Sequence, residues 1–519
     1  MTTAADLGVP EVFNAAAWFV DRHVEEGRAA AVAIECGDER VTYGDLHERV
    51  NRVASALIAR GIRPGDRVVL LLLDSPVFAC AFFGAIKAGA VPVPVNTLWK
   101  ADDYRYVLED SAARVLIVSA ELWPEVERIP LDALPAVQHV FVAGRDGSSR
   151  ATGFDALMAE GRPSCAATAV RHDAPAFWLY SSGSTGRPKG CVHLQHDMVV
   201  CAELYAKRVL GITADDRCFS VAKLFFAYGL GNALYFPLAV GATSILWPSS
   251  PSAAHVIDVA ARHRPTLFFS VPTGYAMLLA HDGPVDFSSV RLAVSAGEAL
   301  PPAVYERFRA RFGIDILDGI GSTEALHIFI ANGPGAIRPG SSGRLVPGYE
   351  ARIVDDEDRP VLDGEVGNLW VAGDSTCASY WNQPEKTART LDGAWLRTGD
   401  KYWRDEDGYY WYAGRTDDML KVGGQWVSPV EVENAVVEHP DVLECAVVAR
   451  EDADGLTKPA AHVVLRPGTP PTDALAADLQ RFVRERIAAH KRPRWVTFHE
   501  TLPKTATGKL QRFRLRSDA

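Results

Sequence analysis

One stretch of the sequence is suited to holding a polyphosphate: Tyr180-Ser-Ser-Gly-Ser-Thr-Gly-Arg-Pro-Lys-Gly190. It follows an apolar run at Ala176–Tyr180 that predicts a strand, and we expect a helix near Leu194. Small and hydroxylic residues let a loop curve around phosphate oxygens, which backbone N–H groups, hydroxyls and Lys189 can then contact. A Gly/Ser run alone is more often a surface turn, but its place between a strand and a lysine favours phosphate binding. Gly190 stands where a Walker loop has Ser or Thr, so a GTPase is not indicated.

A second segment, Asp318-Gly-Ile-Gly-Ser-Thr-Glu324, combines a hydroxyl donor with a hard oxygen ligand. It ends a short apolar run, and α/β sheets bind their ligands at the carboxyl ends of strands. Thr323 can donate to a phosphoryl oxygen, and the carboxylate of Glu324 is a ligand that Mg²⁺ prefers. Taken alone, the segment could equally be a turn with a solvated glutamate.

Two further segments carry charges that suit a nucleotide. Asp400, at the end of Trp395-Leu-Arg-Thr-Gly-Asp400, can accept hydrogen bonds from ribose hydroxyls. Arg415, which follows Gly414, can pair with phosphate. A fourth segment, Leu502-Pro-Lys-Thr-Ala-Thr-Gly-Lys-Leu510, contains Lys509, which by itself would be an ordinary solvated lysine.

The elements around these segments predict an α/β protein. Up to about residue 325, short β-rich runs such as Val68–Leu73 alternate with helical stretches such as Ala253–His263, which is typical of largely parallel sheets. From about residue 343 to 414, Gly, Asp and Pro interrupt short β runs, which predicts a small antiparallel or barrel-like unit. After Gly414 the pattern is mixed, so we predict two domains, 1–414 and 415–519.

The composition is that of a globular protein and excludes some classes of function. The chain has 519 residues, 48% of them hydrophobic, and a formal net charge of −11. Broad nucleic-acid binding is not expected of so acidic a chain, because phosphate backbones are held by clustered cations. An anionic ligand must therefore be met by a local set of donors. We expect neither a signal peptide nor a membrane span, and the eight scattered cysteines indicate reduced thiols in the cytoplasm.

The four segments, in this order and at these separations, resemble those of the adenylate-forming enzymes: acyl-CoA and aryl-CoA ligases, stand-alone adenylation domains and luciferases. The resemblance covers nearly the whole chain. It implies a large N-terminal domain of parallel-sheet α/β layers with a small β-barrel-like subdomain. A smaller, mobile α+β C-terminal domain would follow and rotate about a hinge at Asp417. The implied chemistry is formation of an acyl-AMP from ATP and an acid, followed by thioester formation with coenzyme A.

The resemblance also assigns roles to individual residues. Lys509 would bridge the acid carboxylate and the α-phosphate, with Thr323 and Glu324 as further catalytic residues and Glu324 as the Mg²⁺ ligand. These roles are physically reasonable, since a carboxylate attacking ATP brings two anions together and needs charge neutralisation. The implied nucleotide-binding and cofactor-binding residues are Ser181, Ser182, Gly183, Ser184, Thr185, Lys189, Gly297, Glu298, Asp318, Gly319, Ile320, Thr323, Asp400, Arg415 and Gly424.

Two segments, Lys223-Leu-Phe-Phe-Ala-Tyr-Gly-Leu-Gly-Asn232 and Gly321-Ser-Thr-Glu-Ala-Leu-His-Ile-Phe329, look like those of the benzoate-CoA ligases. An aromatic wall with one polar group suits a flat aryl acid. The aromatic residues could instead be core, and the histidine a hydrogen-bonded core residue. The resemblance implies that the residues around an aryl carboxylate are Ala227, Tyr228, Gly297, Gly321 and His327.

Two residues depart from that group. Ala325 stands where a methionine is expected, and Trp426 where a tyrosine is usual. If Ala325 borders the pocket, its smaller side chain would admit a ring substituent. We therefore expect benzoate or a substituted benzoate as the acid, ATP and CoA as cosubstrates, and Mg²⁺ as the cofactor.

Several alternatives stay open at this point. The same motifs would serve a stand-alone adenylation enzyme that loads a carrier protein. A non-catalytic adenylate-binding protein is disfavoured, because all the charged motif residues are present. A zinc site at Cys191-x-His193-x-x-His196 is not expected, since a fourth ligand is not evident. We expect no nucleic-acid or membrane partner, and a homodimer is left open.

Overall fold

Parallel strands dominate the first two-thirds of the computed structural model, which describes residues 1–181, 187–416, 418–422, 425–452, 456–504 and 510–516. Within these residues the largest sheet has nine strands, and the six in its middle run parallel. Antiparallel strands close both of its edges. In spatial order its strands are Arg344–Leu345, Ile328–Ala331, Ile316–Gly321, Leu292–Ser295, Leu267–Ser270, Arg217–Ser220, Thr243–Ile245, Val32–Cys36 and Glu39–Thr42.

A second sheet is parallel throughout. Its strand Val115–Ser119 is buried along its whole length, as expected of a strand covered on both faces. Helices Tyr43–Ala59 and Pro76–Lys87 pack closely beside each other, since a Cβ added to Gly84 would lie 2.6 Å from the Val53 side chain. The strands in order are Val91–Pro94, Arg67–Leu71, Val115–Ser119, His139–Ala143 and Thr152–Gly153. Together the two sheets confirm the predicted α/β class.

A short antiparallel sheet carries the polyphosphate segment and corrects one prediction. We expected a helix near Leu194, but residues Lys189–Leu194 form a strand that pairs with Pro175–Ser181. The next helix begins only at Asp197. The pairing depends on a strand earlier in the chain, so the local pattern of residues 189–194 could not reveal it. The third strand is Ser379–Tyr380, which pairs with the other edge of Lys189–Leu194.

The predicted antiparallel unit is present after residue 345. Strand Trp395–Arg404 pairs with three neighbours, and Asp400 lies directly opposite Arg415 in one of those pairings. The five strands are Glu350–Val354, Gly367–Ala372, Leu391–Asp392, Trp395–Arg404 and Tyr410–Arg415.

The last part of the chain builds its own sheets around its own apolar core. Helices Pro429–Val437 and Asp473–Arg484 contribute buried residues such as Val432 and Leu479 to this core. This mixture of helices and strands agrees with the predicted α+β character. The strands are Leu420–Val422 with Gln425–Val427, and Val442–Glu451, Thr457–Leu465 and Trp495–His499.

Helices connect and cover the sheets. Among the helices of the described residues, none has the length and apolar character needed to cross a membrane. All eight cysteines are free thiols. The π-helices are Ala17–Asp21, Ala202–Lys207 and Gly231–Tyr235, and the 3₁₀ turns are Ala120–Leu122, Leu131–Ala133 and Ala489–Lys491. The α-helices are Arg22–Glu25, Tyr43–Ala59, Pro76–Lys87, Ala101–Asp110, Trp123–Glu127, Phe154–Glu160, Asp197–Cys201, Ala227–Leu230, Phe236–Val240, Ala253–His263, Pro272–Leu279, Pro302–Phe312, Pro384–Thr390, Pro429–Val437, Asp473–Arg484 and Arg512–Arg516.

Candidate functional site

The polyphosphate segment includes the ends of two strands, Pro175–Ser181 and Lys189–Leu194, that pair antiparallel. Ser181 and Lys189 lie opposite each other in the last pairing, and both have side chains that can contact an anion. The Ser181 hydroxyl is buried and has no partner among the described residues. Such an orphaned hydroxyl suits a phosphate oxygen. Predicted contacts Ser182, Gly183, Ser184 and Thr185 lie outside the described residues.

Lys189 contacts Glu324 of the second segment. The Lys189 ammonium lies 3.0 Å from Oε1 of Glu324 and 2.5 Å from the hydroxyl of Tyr380. Tyr380 donates that hydroxyl proton to the same carboxylate oxygen over 2.6 Å. Burial opposes ionisation of Glu324, but Lys189 and the Tyr380 hydroxyl together lower its pKa below the usual value. The carboxylate is therefore ionised and held in place.

The segment that carries Glu324 is a sharply bent turn. A Cβ on Gly321 would lie 2.5 Å from the carbonyl oxygen of His327, so only glycine fits there. Leu326 is buried with a φ of 67°, which is a strained conformation for a leucine and often marks a functional site. His193 supports the turn, with one ring nitrogen on the Thr323 carbonyl oxygen and the other on Asp197, both at 2.8 Å.

The donor set around Glu324 fits a magnesium ion. Among the described residues, its side-chain partners all contact Oε1, which leaves Oε2 available. Mg²⁺ bound with a nucleotide needs only one or two carboxylates, because phosphates and water complete its octahedron. In the part of the chain that the structure describes, no group of three or more acidic, His or Cys side chains is arranged to hold a metal ion. The contact partners of His193 likewise explain it without zinc.

His327 lies among aromatic rings at the carboxyl edge of the large sheet. Its ring centroid is 4.4 Å from that of Phe236 and 5.6 Å from those of Tyr205 and Tyr228. The Tyr228 hydroxyl shares its proton between the carbonyl oxygens of residues 270 and 294, at 3.1 Å and 3.2 Å, which end or nearly end two neighbouring strands. Ala227 is buried at the start of the same helix. Four predicted residues of the aryl site, including Gly321, thus meet at one edge.

Burial decides the charge of His327. It lowers the pKa of the imidazole to about 3, so the ring is neutral at neutral pH. Nε2 lies 3.4 Å from the Tyr228 carbonyl oxygen, which can only accept, so Nε2 carries the proton. Nδ1 is then a buried acceptor without a partner among the described residues. The predicted departure Ala325 is fully buried two residues away, and only the backbone of Trp426 is described.

The remaining predicted nucleotide contacts lie at the same edge. Strands Leu292–Ser295 and Ile316–Gly321 are neighbours, so Gly297 and Glu298 follow one strand beside Asp318 and Gly319 on the other. Gly297 has a φ of 91°, which suits glycine. Burial raises the pKa of Asp318 to about 8, so its carboxyl is largely protonated at neutral pH. Ile320 continues that strand and is only partly buried.

The third segment places its two charges side by side. The guanidinium of Arg415 donates to Oδ1 of Asp400 over 3.0 Å, across paired strands. Gly399 has a φ of 74°, and a Cβ there would lie 2.9 Å from the Arg415 guanidinium. Asp400 raises the pKa of Arg415 and so keeps it charged.

Three further predicted positions lie outside the described residues: the catalytic Lys509, the hinge Asp417 and Gly424. The residues that follow Lys509 are described. Arg512 makes a bidentate ion pair with Glu433, at 2.8 Å and 2.9 Å. This pair ties the terminal helix Arg512–Arg516 to helix Pro429–Val437 and fixes one end of the segment that carries Lys509.

The C-terminal part also has a basic pocket that sequence reasoning did not identify. Its volume is about 610 Å³. Lys458 and Arg484 come from a strand and a helix, while Arg492 and Arg494 flank Pro493 in one short segment. The residues that line the pocket are Val422, Lys458, Arg484, Ala489, His490, Arg492 and Arg494.

Sequence reasoning also missed Tyr380 and His193 as parts of the site. Tyr380 belongs to no charged or glycine-rich motif, and it reaches Glu324 only because Ser379–Tyr380 pairs with strand Lys189–Leu194. His193 was considered only as a metal ligand. Its spacing of four residues from Asp197 was the signal available for a hydrogen-bonded pair.

Comparison with known proteins adds to this geometry. The model described as "AMP-binding enzyme" matches residues 20–381, and that described as "AMP-binding enzyme C-terminal domain" matches residues 431–509. The chain is 49% identical to the benzoate–CoA ligase of Thauera aromatica, over 99% of this chain and 98% of that protein. It aligns with the anthranilate CoA ligase AuaEII in complex with anthranoyl-AMP at a TM-score of 0.96 and 44% identity, covering 100% and 99% of the two chains. A benzoate CoA ligase from Burkholderia xenovorans LB400 gives 0.90 and 47% identity, covering 97% and 100%.

Proposed function

This chain belongs to the AMP-binding enzyme family, and on that premise we propose that it is an ATP-dependent aryl-CoA ligase. It converts benzoate or a substituted benzoate to its CoA thioester through an aryl-AMP intermediate and releases AMP and pyrophosphate. The observation that carries the proposal is the turn from Gly321 to His327. That turn brings a carboxylate held by Lys189 and a neutral histidine in an aromatic cluster to the same sheet edge.

Adenylation requires the site to bring an aryl carboxylate to the α-phosphorus of ATP. Lys189 and the hydroxyl of Ser181 would contact the phosphates, and Asp400 with Arg415 would hold the ribose. Mg²⁺ held by Glu324 would supply positive charge to the phosphate oxygens. Lys509 would then bridge the two reacting anions. A preorganised donor of this kind is worth about 3 kcal/mol of barrier.

The aromatic cluster around His327 supports an aryl rather than an aliphatic acid. Rings bury large areas and pack edge-to-face against Phe and Tyr. Nδ1 of His327 is an acceptor without a partner among the described residues, so we expect ring substituents that donate, such as an amino or hydroxyl group, to be accepted as well as benzoate itself. The bound anthranoyl-AMP of the related ligase AuaEII carries such an amino group.

A panel of aryl acids tests which class of acid the protein activates. AMP release with ATP and CoA is measured for benzoate and for its amino, hydroxy and halo derivatives, with hexanoate as the aliphatic control. We expect aryl acids to exceed hexanoate by at least about 100-fold in kcat/KM, since losing a buried ring forfeits several kcal/mol. A strict preference for unsubstituted benzoate would rule out a role of Ala325 in admitting substituents, and activity with hexanoate alone would refute an aryl pocket.

The acceptor is proposed to be CoA rather than a carrier protein. The pocket lined by Lys458, Arg484, Arg492 and Arg494 suits the phosphates of a free nucleotide thiol, because arginines bind phosphate in a bidentate manner. Incubation with ATP, benzoate and either free CoA or a holo-carrier protein separates the two acceptors. Loading of the carrier protein without formation of benzoyl-CoA would favour the stand-alone adenylation enzyme.

The domain assignment remains part of the proposal. We place the boundary between residues 414 and 415, with Asp417 as the hinge and Gly424 beside the pantetheine arm. Rotation at the hinge would remove Lys509 after adenylation and admit the thiol. A cytoplasmic location, supported by the eight free thiols, is proposed on the same footing.

A further inference from the structure

Tyr380 lies between the paired strands Pro175–Ser181 and Lys189–Leu194 and the turn that carries Glu324. It is 3% exposed, and its hydroxyl is within 2.6 Å of both the Lys189 ammonium and Glu324 Oε1. The Lys189 ammonium also lies 3.8 Å from the centroid of the Tyr380 ring. A single side chain therefore contacts both charged groups that ATP and Mg²⁺ are proposed to use.

The backbone and neighbours of Tyr380 fix its position. Strand Ser379–Tyr380 pairs with Cys191 and Val192, and the Tyr380 N–H donates to the Thr387 hydroxyl at 3.0 Å. The next residue, Trp381, donates its backbone N–H to Gly190 and its indole N–H to Asp110. These bonds fix the backbone at Tyr380, and the ring itself is buried against Cys191 and Cys377, so its hydroxyl is a well-positioned donor.

Binding of a nucleotide would affect the contacts of Lys189, Glu324 and Tyr380 in different ways. When phosphates draw Lys189 away, Glu324 loses the cation that stabilises its charge. A buried carboxylate that has lost its partner is costly unless other donors remain. The Tyr380 hydroxyl would remain on Oε1, which directs Oε2 outward. A ligand carboxylate oriented by such a hydrogen bond binds metal better.

We propose that Tyr380 is the positioning residue for the metal-binding carboxylate: it holds Oε1 of Glu324 so that Oε2 faces Mg²⁺ when ATP takes Lys189. The proposal rests on the proposed function, since it requires the chain to bind magnesium with ATP. It gives Tyr380 no contact with the reacting atoms.

The test is calorimetric titration with ATP in the absence of any aryl acid, so that no turnover occurs. Wild-type protein and Tyr380→Phe are titrated at a series of Mg²⁺ concentrations and in excess EDTA. The variant keeps the ring and its face contact with Lys189 but lacks the hydroxyl, and so loses the hydrogen bonds to Lys189 and Glu324. We expect the Mg²⁺ concentration for half-maximal ATP affinity to rise about tenfold, as is typical when a hydrogen bond to a metal ligand is removed. Affinity for ATP in EDTA should change less than twofold.

A matched control removes another buried tyrosine hydroxyl. Tyr43→Phe deletes a hydroxyl that donates to the Ala242 carbonyl oxygen at 2.7 Å in the core, away from the site. It should leave the Mg²⁺ dependence unchanged. A double variant adds Glu324→Gln, in whose background Tyr380→Phe should no longer alter the Mg²⁺ requirement.

Other outcomes decide against the proposal in distinct ways. An unchanged Mg²⁺ requirement in Tyr380→Phe, or an equal loss of ATP affinity in EDTA, would overturn it and leave a structural role. If that variant does not fold, Thr387→Val, which removes the hydroxyl that fixes the Tyr380 N–H, should raise the Mg²⁺ requirement by a smaller factor, and no rise would overturn the proposal. Wild-type protein that binds no ATP at any Mg²⁺ concentration would instead refute the proposed function.

Discussion

Lys189 and Glu324 form an ion pair that a nucleotide would have to open in the proposed site. Both side chains are mostly buried, and the hydroxyl of Tyr380 contacts both of them. Hydrogen bonds to charged groups contribute about 1.5–3 kcal/mol each. If ATP binds as proposed, its phosphate has to replace the Glu324 contact of Lys189 with a contact of at least equal strength. Such an exchange would make Lys189 a determinant of ATP affinity rather than of acid affinity.

Replacing Lys189 with Met keeps the length of the side chain and removes its charge. We expect kcat/KM for ATP in benzoate-dependent pyrophosphate exchange to fall about 10- to 100-fold, because one charged hydrogen bond to phosphate is lost. KM for benzoate should change less than threefold. Lys207→Met, which breaks a surface pair with Glu203 on a helix, serves as the control. An equal effect on both substrates would contradict a specific phosphate role.

Buried histidines make the stability of the fold depend on pH. Burial lowers the pKa of His327 to about 3 and that of His23 to about 4. Below pH 6.5 the unfolded chain protonates these rings and the folded chain does not, so each removes up to about 1.4 kcal/mol of stability per pH unit as the pH falls. Asp74 and Asp318, whose pKa values burial raises to about 6 and about 8, act in the opposite direction.

The contribution of His327 to this pH dependence is therefore measured as the difference between the wild type and a variant that lacks the histidine. Urea unfolding of wild type and His327→Asn between pH 4.5 and 7.5 gives two curves of unfolding free energy. We expect the wild-type curve to lose more stability on acidification than the variant curve does. Parallel curves would show that His327 titrates normally in the folded protein.

The elements explain how such residues meet. Strands Pro175–Ser181 and Lys189–Leu194 pair antiparallel, and the turn that carries Glu324 joins two strands of the large sheet. His193 of the former bonds to the Thr323 carbonyl oxygen of the latter. In the proposed aryl site, the π-helix Gly231–Tyr235 packs closely against the His327 ring. π-Helical turns often occur at functional sites.

A substitution at Gly231 tests this packing. A Cβ there would lie 2.5 Å from Cδ2 and 2.7 Å from Nε2 of His327, so Gly231→Ala must displace the ring. Overpacking of this kind costs about 1–3 kcal/mol. We expect KM for benzoate to rise about tenfold while KM for ATP stays within twofold. Gly333→Ala, where the added methyl meets open space, is the matched control. A rise in KM for ATP alone would place Gly231 outside the acid site.

Local patterns predicted most elements, and the exceptions have a common cause. Strand Leu267–Ser270 is a buried apolar run, and in helix Pro302–Phe312 the buried residues Val304, Tyr305 and Phe308 recur at helical spacing. Lys189–Leu194 is a strand because of its partner Pro175–Ser181, and Tyr380 joins the site through the same sheet. Contacts between paired strands depend on register, which local sequence leaves undetermined.

At the scale of the whole molecule, the net charge is negative, but positive charges are concentrated at local sites. The chain carries a net charge of −11, yet the C-terminal pocket gathers several cations and Arg512 is held by Glu433 beside the segment that contains Lys509. Polyanionic substrates would thus be met at local sites on two parts of the chain. An enzyme built in this way should be able to lose one half-reaction and keep the other.

Replacing Lys509 should separate the two half-reactions. Lys509→Ala should lower benzoate-dependent pyrophosphate exchange by at least about 100-fold, since a donor to the reacting anions is removed. Thioester formation from added benzoyl-AMP and CoA should stay within about threefold of wild type, because that step is proposed to proceed with Lys509 withdrawn. Lys504→Ala removes a nearby lysine that is paired with Glu444 at 2.7 Å, and both half-reactions should survive that change. Exchange that persists in Lys509→Ala would remove the lysine from adenylation. Equal loss of both half-reactions would mean that one arrangement of the chain performs both, so that no rotation at Asp417 is needed.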